Sequence, residues 1–86
     1  MPKSIHSDPY RVLLELLKQT RVQRNLRQED LVDALNMNQS TISRIEQGER
    51  RLDIVELRAY CKAIGWTLRD CVTSWERRLD RSSTSK

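Results

Sequence analysis

Eighty-six residues allow one small domain, and hydrophobic residues make up 37% of it with no phenylalanine, so its core must be built mostly from Leu, Ile and Val. Sixteen Lys and Arg stand against twelve Asp and Glu, giving a net charge of +4 and a pI near 9.5. No apolar run is long enough to span a membrane, and two cysteines, Cys61 and Cys71, are too few for a disulfide framework or a zinc site.

Both cysteines read as small core groups in a reducing compartment. The opening "MPKSIHSDPY" lacks the apolar centre of a signal peptide, so a cytoplasmic location is expected. Fourteen of the sixteen cations fall between residues 11 and 81, so the excess charge belongs to the domain and not to a detached tail. Such a balance suits an anionic partner, nucleic acid first and a membrane surface second. A domain this short buries only roughly 60–65% of its unfolded surface, which makes dimerisation a natural source of stability.

The chain reads as five helices, an all-α fold, with no alternating strand pattern. Asp8 followed by Pro9 marks the first start, a cap and then a proline whose missing N–H costs nothing there. That helix carries Leu13, Leu16, Leu17 and Thr20 on one face and ends where Asn25 takes a left-handed conformation. "QEDLVDAL" is a short second helix with Leu31, Val32 and Leu35 inward, Glu29 and Asp30 in its first turn, and Asn36 as its left-handed stop. Only Met37 separates that stop from the next cap, Asn38, so helices two and three must cross steeply.

The third helix is "NQSTISRIEQGER", capped by Asn38, stapled by Met37 and Ile42, and ended by Gly48. Asp53 with Glu56 forms a capping box for the fourth, which turns Leu57, Tyr60, Cys61 and Ile64 inward and stops at Gly65. Thr67 with Asp70 opens the fifth, placed at residues 67–80, where Leu68, Cys71, Val72, Trp75 and Leu79 form one stripe. Residues 1–7 and 81–86 read as flexible tails around a domain at 8–80. Tyr10 and Trp66 are expected to be packing residues, and His6 attracts no functional claim.

The third helix is unusually polar. At about 100° per residue, Ile42 and Ile45 point inward together. The opposite side then holds Ser40, Ser43, Arg44 and Gln47, with Gln39 and Thr41 at its flanks. That face has one charge and many donors and acceptors, whereas ordinary solvated faces are richer in Lys and Glu. A major groove accepts one helix and offers base edges that these side chains can read: Arg44 suits guanine and Gln39 suits adenine. Glu46 and Glu49 fall nearer the inward side. A plain solvated face is the alternative for this helix taken alone.

In its setting, "RQEDLVDALNMNQSTISRIEQGER" resembles the helix-turn-helix of the phage-repressor-like family, also called Cro/CI or XRE. The likeness covers about residues 13 to 68 and rests on "QEDL", "QSTISRIE" and the following "GERR". It implies a compact five-helix domain of the lambda-repressor-like type whose helices two and three form the DNA-binding unit. It also implies roles. Gln28 would contact a phosphate and brace Gln39, while Gln39, Ser40, Thr41 and Arg44 would face base edges. Arg27, Asn38, Ser43, Gln47, Arg50 and Arg51 would meet the DNA backbone. Arg21 and Glu46 would form a structural salt bridge that orients the recognition helix. Arg27 departs from the usual capping residue, at a cost of about 1 kcal/mol, and adds a cation near the expected phosphate. Val32 stands where the family prefers Ala, and Asn25 and Asn36 stand for glycines.

The fifth helix is longer than the core requires. Leu68, Cys71 and Val72 cap it, and Trp75 and Leu79 are the candidates for a homodimer interface. A two-fold pair would place recognition helices about 34 Å apart on a near-palindromic operator. The expected function is therefore a sequence-specific transcriptional regulator of repressor or controller type that binds double-stranded DNA. With no sensor domain, its control would come through concentration or a protein partner. The competing reading is an antitoxin or other protein-interaction module. Enzymatic chemistry has no support, since no paired acid and base or metal cluster is present, and no cofactor is expected.

Overall fold

Four helices begin where a short side chain can accept one of the first free N–H groups. In the computed structural model, which describes residues 8–84, Asp8 accepts from the Tyr10 N–H at 3.1 Å and Pro9 opens α1 (Pro9–Gln23). Asn38 accepts from the Thr41 N–H at 2.9 Å to start α3 (Gln39–Glu46). Asp53 and Glu56 exchange bonds of 2.8 and 3.1 Å at the head of α4 (Ile54–Ala63). Thr67 accepts from the Asp70 N–H at 3.0 Å before α5 (Leu68–Thr84). These caps satisfy donors that a helix leaves unpaired.

The second helix starts differently. Residues Gln28–Leu31 form a 3-10 turn that passes into a short α2 (Val32–Leu35). Arg27 cannot accept at the cap position. The turn is instead closed by the Asp30 N–H on the Arg27 carbonyl at 2.9 Å and by the Asp30 carboxylate on the Arg27 N–H at 2.7 Å. The tighter i-to-i+3 geometry follows from that closure.

Ends are set by left-handed residues. Asn25 and Asn36 adopt φ of 61° and 55°, as their side chains tolerate better than most. Gly48, at φ 84°, closes α3 in a Schellman motif: the Glu49 N–H reaches the Arg44 carbonyl at 2.8 Å and the Gly48 N–H reaches Ile45 at 3.0 Å. α5 continues through Thr84, four residues beyond the expected end at 80, with no glycine or proline to stop it. Residues 81–84 of the expected C-terminal tail are thus its last turn, while 1–7, His6 among them, and 85–86 lie outside the described residues.

The core gathers one face of every helix: Leu13 and Leu17 of α1, Leu31 and Leu35, Ile42 of α3, Leu57, Tyr60, Cys61 and Ile64, and Cys71 of α5. Both cysteines are fully buried free thiols that fill the α4–α5 contact. Polar clamps then hold the helices in place. The Trp75 indole N–H donates to the Pro9 carbonyl at 2.9 Å, and Arg78 donates to Gln19 at 2.8 Å, tying α5 to α1. Arg24 donates to the Ile64 and Gly65 carbonyls at the end of α4, where a cation is favourable, and lies over the Trp66 ring. Tyr10 packs beneath Arg51 and its hydroxyl accepts the Leu52 N–H at 3.1 Å, which pins the segment after α3 to α1. Among the described residues, no helix is long and apolar enough to cross a membrane.

Candidate nucleic-acid interface

Helix α3 is anchored by Ile42 and Ile45, both at 0% exposure. Burying these two side chains contributes on the order of 4 kcal/mol and fixes the roll of the helix. Gln39, Ser40, Arg44 and Gln47 are consequently exposed, with Thr41 and Ser43 half-buried at the margins. A three-residue turn, Asn36 to Asn38, sets α3 across α2. The exposed polar residues match those expected from helical angles, and Glu46 is turned inward as expected, but Glu49, past the end of α3, is exposed beside Arg44.

Asn38 is occupied as a cap: its Oδ1 accepts from the Thr41 N–H and from the Ser40 hydroxyl at 3.0 Å. Its amide NH2 remains available toward solvent. Gln47 donates to the Ser43 hydroxyl at 3.0 Å, so these two form a polar pair one turn apart. Arg44 sits 3.9 Å from Glu49, with both side chains more than half exposed; water screens such a pair, which leaves the guanidinium free to move.

Beneath this face lies a hydrogen-bond network centred on Glu46. Arg21 donates Nε to its Oε2 at 2.8 Å and Nη2 to its Oε1 at 3.0 Å, the expected salt bridge in bidentate form. Gln28 donates to Oε1 at 2.9 Å, and the Tyr60 hydroxyl donates to Oε2 at 2.6 Å. Arg21 also donates to the Leu26 carbonyl at 2.7 Å. Burial alone would raise the Glu46 carboxyl, but the bonds from Arg21, Tyr60 and Gln28 outweigh it and hold it below the usual carboxylate value. The Tyr60 phenol is pushed up by burial and by the adjoining carboxylate, so it stays a donor.

Gln28 links this network to the surface, since its Oε1 accepts from Gln39 Nε2 at 2.7 Å. Arg21, Arg27, Gln28, Glu29 and Gln39 line an open hollow of about 330 Å³ beside that pair. The Arg27 guanidinium is highly exposed, 3.5 Å from Glu29 and 3.8 Å from Asp30.

The remaining cations diverge. Arg51 stacks over Tyr10, 4.7 Å from the ring centre. Arg50 forms a two-bond pair with Glu56 at 2.9 and 3.1 Å and also donates to the Arg51 carbonyl at 3.0 Å. That carboxylate, lowered first by Arg50 and then by the Asp53 N–H, offsets the Arg50 charge. Trp75 and Leu79, the expected dimer residues, are both half-buried, and Trp75 packs on its own core. The most exposed large apolar side chains lie elsewhere, Ile54 at 62% and Val55 at 73% in the first turn of α4 and Val22 at 54%.

Several of these partnerships were not read from the sequence, Tyr60 with Glu46, Gln28 with Glu46 and Glu56 with Arg50 among them. Tyr60 did carry a signal, because a tyrosine in an apolar stripe must find a partner for its hydroxyl.

Two buried-faced helices joined by a tight turn, the second presenting a polar reading face, define a helix-turn-helix DNA-binding domain. A helix-turn-helix domain family model matches residues 12–70. An XRE-family like protein from Pseudomonas syringae pv. tomato str. DC3000 shares 34% identity, with 85% of this chain and 89% of that one covered and a TM-score of 0.77. The chain belongs to the XRE family of helix-turn-helix proteins, and is a DNA-binding regulator. The wild-type restriction–modification controller protein C.Esp1396I shares the fold, at TM-score 0.73 and 23% identity, over 90% of this chain and 97% of that one. No curated protein sequence matches the chain.

Proposed function

We propose that this protein regulates transcription by inserting α3 into the major groove of a specific, near-palindromic operator as a homodimer in the cytoplasm. The observation that carries this reading is how α3 divides its side chains. Its acid, Glu46, is turned inward and engaged by three donors, while Gln39, Ser40 and Arg44 are exposed. A face of amide, hydroxyl and guanidinium groups with its carboxylate withdrawn is suited to base edges between phosphates.

Gln39, Ser40, Thr41 and Arg44 specify sequence in this account, and Arg27, Gln28, Asn38, Ser43, Gln47 and Arg51 position the domain on the backbone. Arg50, whose charge Glu56 offsets, supports the loop after α3 and adds less to phosphate binding than Arg51. The dimer is assigned to the Leu79 end of α5, with Trp75 contributing chiefly to its own fold. No chemistry on the DNA is implied; occupancy of the operator, set by protein concentration, is the regulatory act.

Selection of bound duplexes from a random pool at near-physiological salt tests the reading. An enriched inverted repeat with half-sites about ten base pairs apart supports it. Bulk, salt-sensitive binding with no enriched sequence would refute it.

A further inference from the structure

An ionised carboxylate only accepts hydrogen bonds, and a glutamine amide has one accepting end and one donating end. In this protein that asymmetry passes from the core to the reading face. All four acceptor directions of Glu46 are filled, two by Arg21, one by Tyr60 and one by Gln28. Gln28 must therefore turn its NH2 toward Glu46, which leaves its Oε1 facing outward. Gln39 answers with its own NH2, at 2.7 Å. What Gln39 still offers to the groove is its Oε1 and one remaining N–H, an acceptor beside a donor. Adenine presents the complementary pair, its N6 amino group and N7, whereas guanine presents two acceptors, O6 and N7.

We propose that Glu46, without touching DNA, determines the base preferred at the position read by Gln39, by fixing through Gln28 which end of the Gln39 amide faces the groove. The inference rests on the reading that α3 enters the major groove. Arg21 and Tyr60 support that carboxylate in this scheme, and Arg21 alone suffices to keep it an acceptor. Both donate to Glu46, and a fully buried tyrosine and a buried arginine hold it as a pure acceptor. A donor at position 46 would reverse both amides and leave Gln39 presenting two N–H groups, which match guanine.

The test uses the full chain and sequencing of duplexes selected from a random pool by wild type and by Gln39→Ala, Glu46→Gln, Gln28→Leu and Tyr60→Phe. Wild type is expected to favour adenine over guanine by about tenfold at one position per half-site, which Gln39→Ala identifies by flattening it. In Glu46→Gln the new amide oxygen, on the Oε2 side, accepts from Arg21 Nε and Tyr60, and its NH2, on the Oε1 side, turns to Gln28 with loss of the Arg21 Nη2 bond, so guanine becomes the favoured base there. Gln28→Leu breaks the relay while leaving the Arg21–Glu46 pair intact; its lost phosphate contact weakens binding to all sequences alike, while the preference at the Gln39 position alone falls to within about threefold. Tyr60→Phe keeps adenine, because Glu46 remains an acceptor; a general structural defect would blur every position alike.

Should Glu46→Gln fail to fold by circular dichroism, Gln28→Leu decides the matter, since its site is partly exposed. Full adenine preference in Gln28→Leu overturns the relay while leaving groove reading intact. If wild type enriches no sequence, or Gln39→Ala changes no position, the reading of α3 itself fails and the relay with it.

Discussion

Removing one oxygen atom, in Tyr60→Phe, probes the buried network more cleanly than any truncation. The ring keeps its volume at a fully buried site, so no cavity forms, and the change is confined to a 2.6 Å bond donated to an ionised carboxylate. Hydrogen bonds to charged groups contribute about 1.5–3 kcal/mol. Glu46 keeps Arg21 Nε on the same oxygen at 2.8 Å, which places the expected loss near the middle, about 2 kcal/mol. A domain of this size has roughly 5–10 kcal/mol in all, so the thermal midpoint should fall by about 8–16 °C. Urea denaturation followed by far-UV circular dichroism measures it, with the slope unchanged. The pH dependence has a definite sign. Glu46 titrates below its unfolded value in the native state, so its stabilisation is fully present above about pH 4.3 and is lost as pH falls through the folded value. The gap between wild type and variant should narrow over that acid range. A loss under about 0.5 kcal/mol at neutral pH, well short of a charge-assisted bond, would refute the placement of Tyr60 on a buried carboxylate.

Glu56→Gln should keep the capping bond to the Asp53 N–H through its amide oxygen but remove the negative charge that offsets Arg50 and the bond from its Nη2. DNA binding should then tighten at low salt, with the slope of log K against log salt steeper by about one. Asn36→Val places a β-branched residue at φ 55° and should cost about 1–2 kcal/mol in a denaturant titration. Leu79→Ser should weaken self-association at least about tenfold in sedimentation equilibrium, a change worth about 1.4 kcal/mol, whereas Val55→Ser should not. The reverse pattern would move the dimer face to the first turn of α4.

Features encoded within three or four residues were legible in the sequence. The caps at Asp8, Asn38, Asp53 and Thr67, the left-handed Asn25 and Asn36, and the inward pairing of Ile42 with Ile45 depend on local geometry that the chain states outright. The Arg21–Glu46 and Gln28–Gln39 pairs came from family resemblance and not from spacing. Partners joined only by packing were not legible: Trp75 finds a carbonyl 66 positions away, and Tyr60 finds Glu46 14 positions away on another helix. Arg50 looked like one more cation for DNA because Glu56 was read only as a cap, although the same carboxylate serves both. The 3-10 turn at Gln28 followed from Arg27, whose poor capping was visible but whose structural consequence was not.

The most direct test of base reading by α3 is the affinity of Arg44→Ala for the selected operator and for a scrambled duplex, measured side by side at one salt concentration. Loss of a bidentate base contact should weaken operator binding by about tenfold to a hundredfold and leave scrambled-duplex binding within about threefold. An equal loss on both duplexes would make Arg44 a phosphate contact, and no loss on either would remove α3 from the groove.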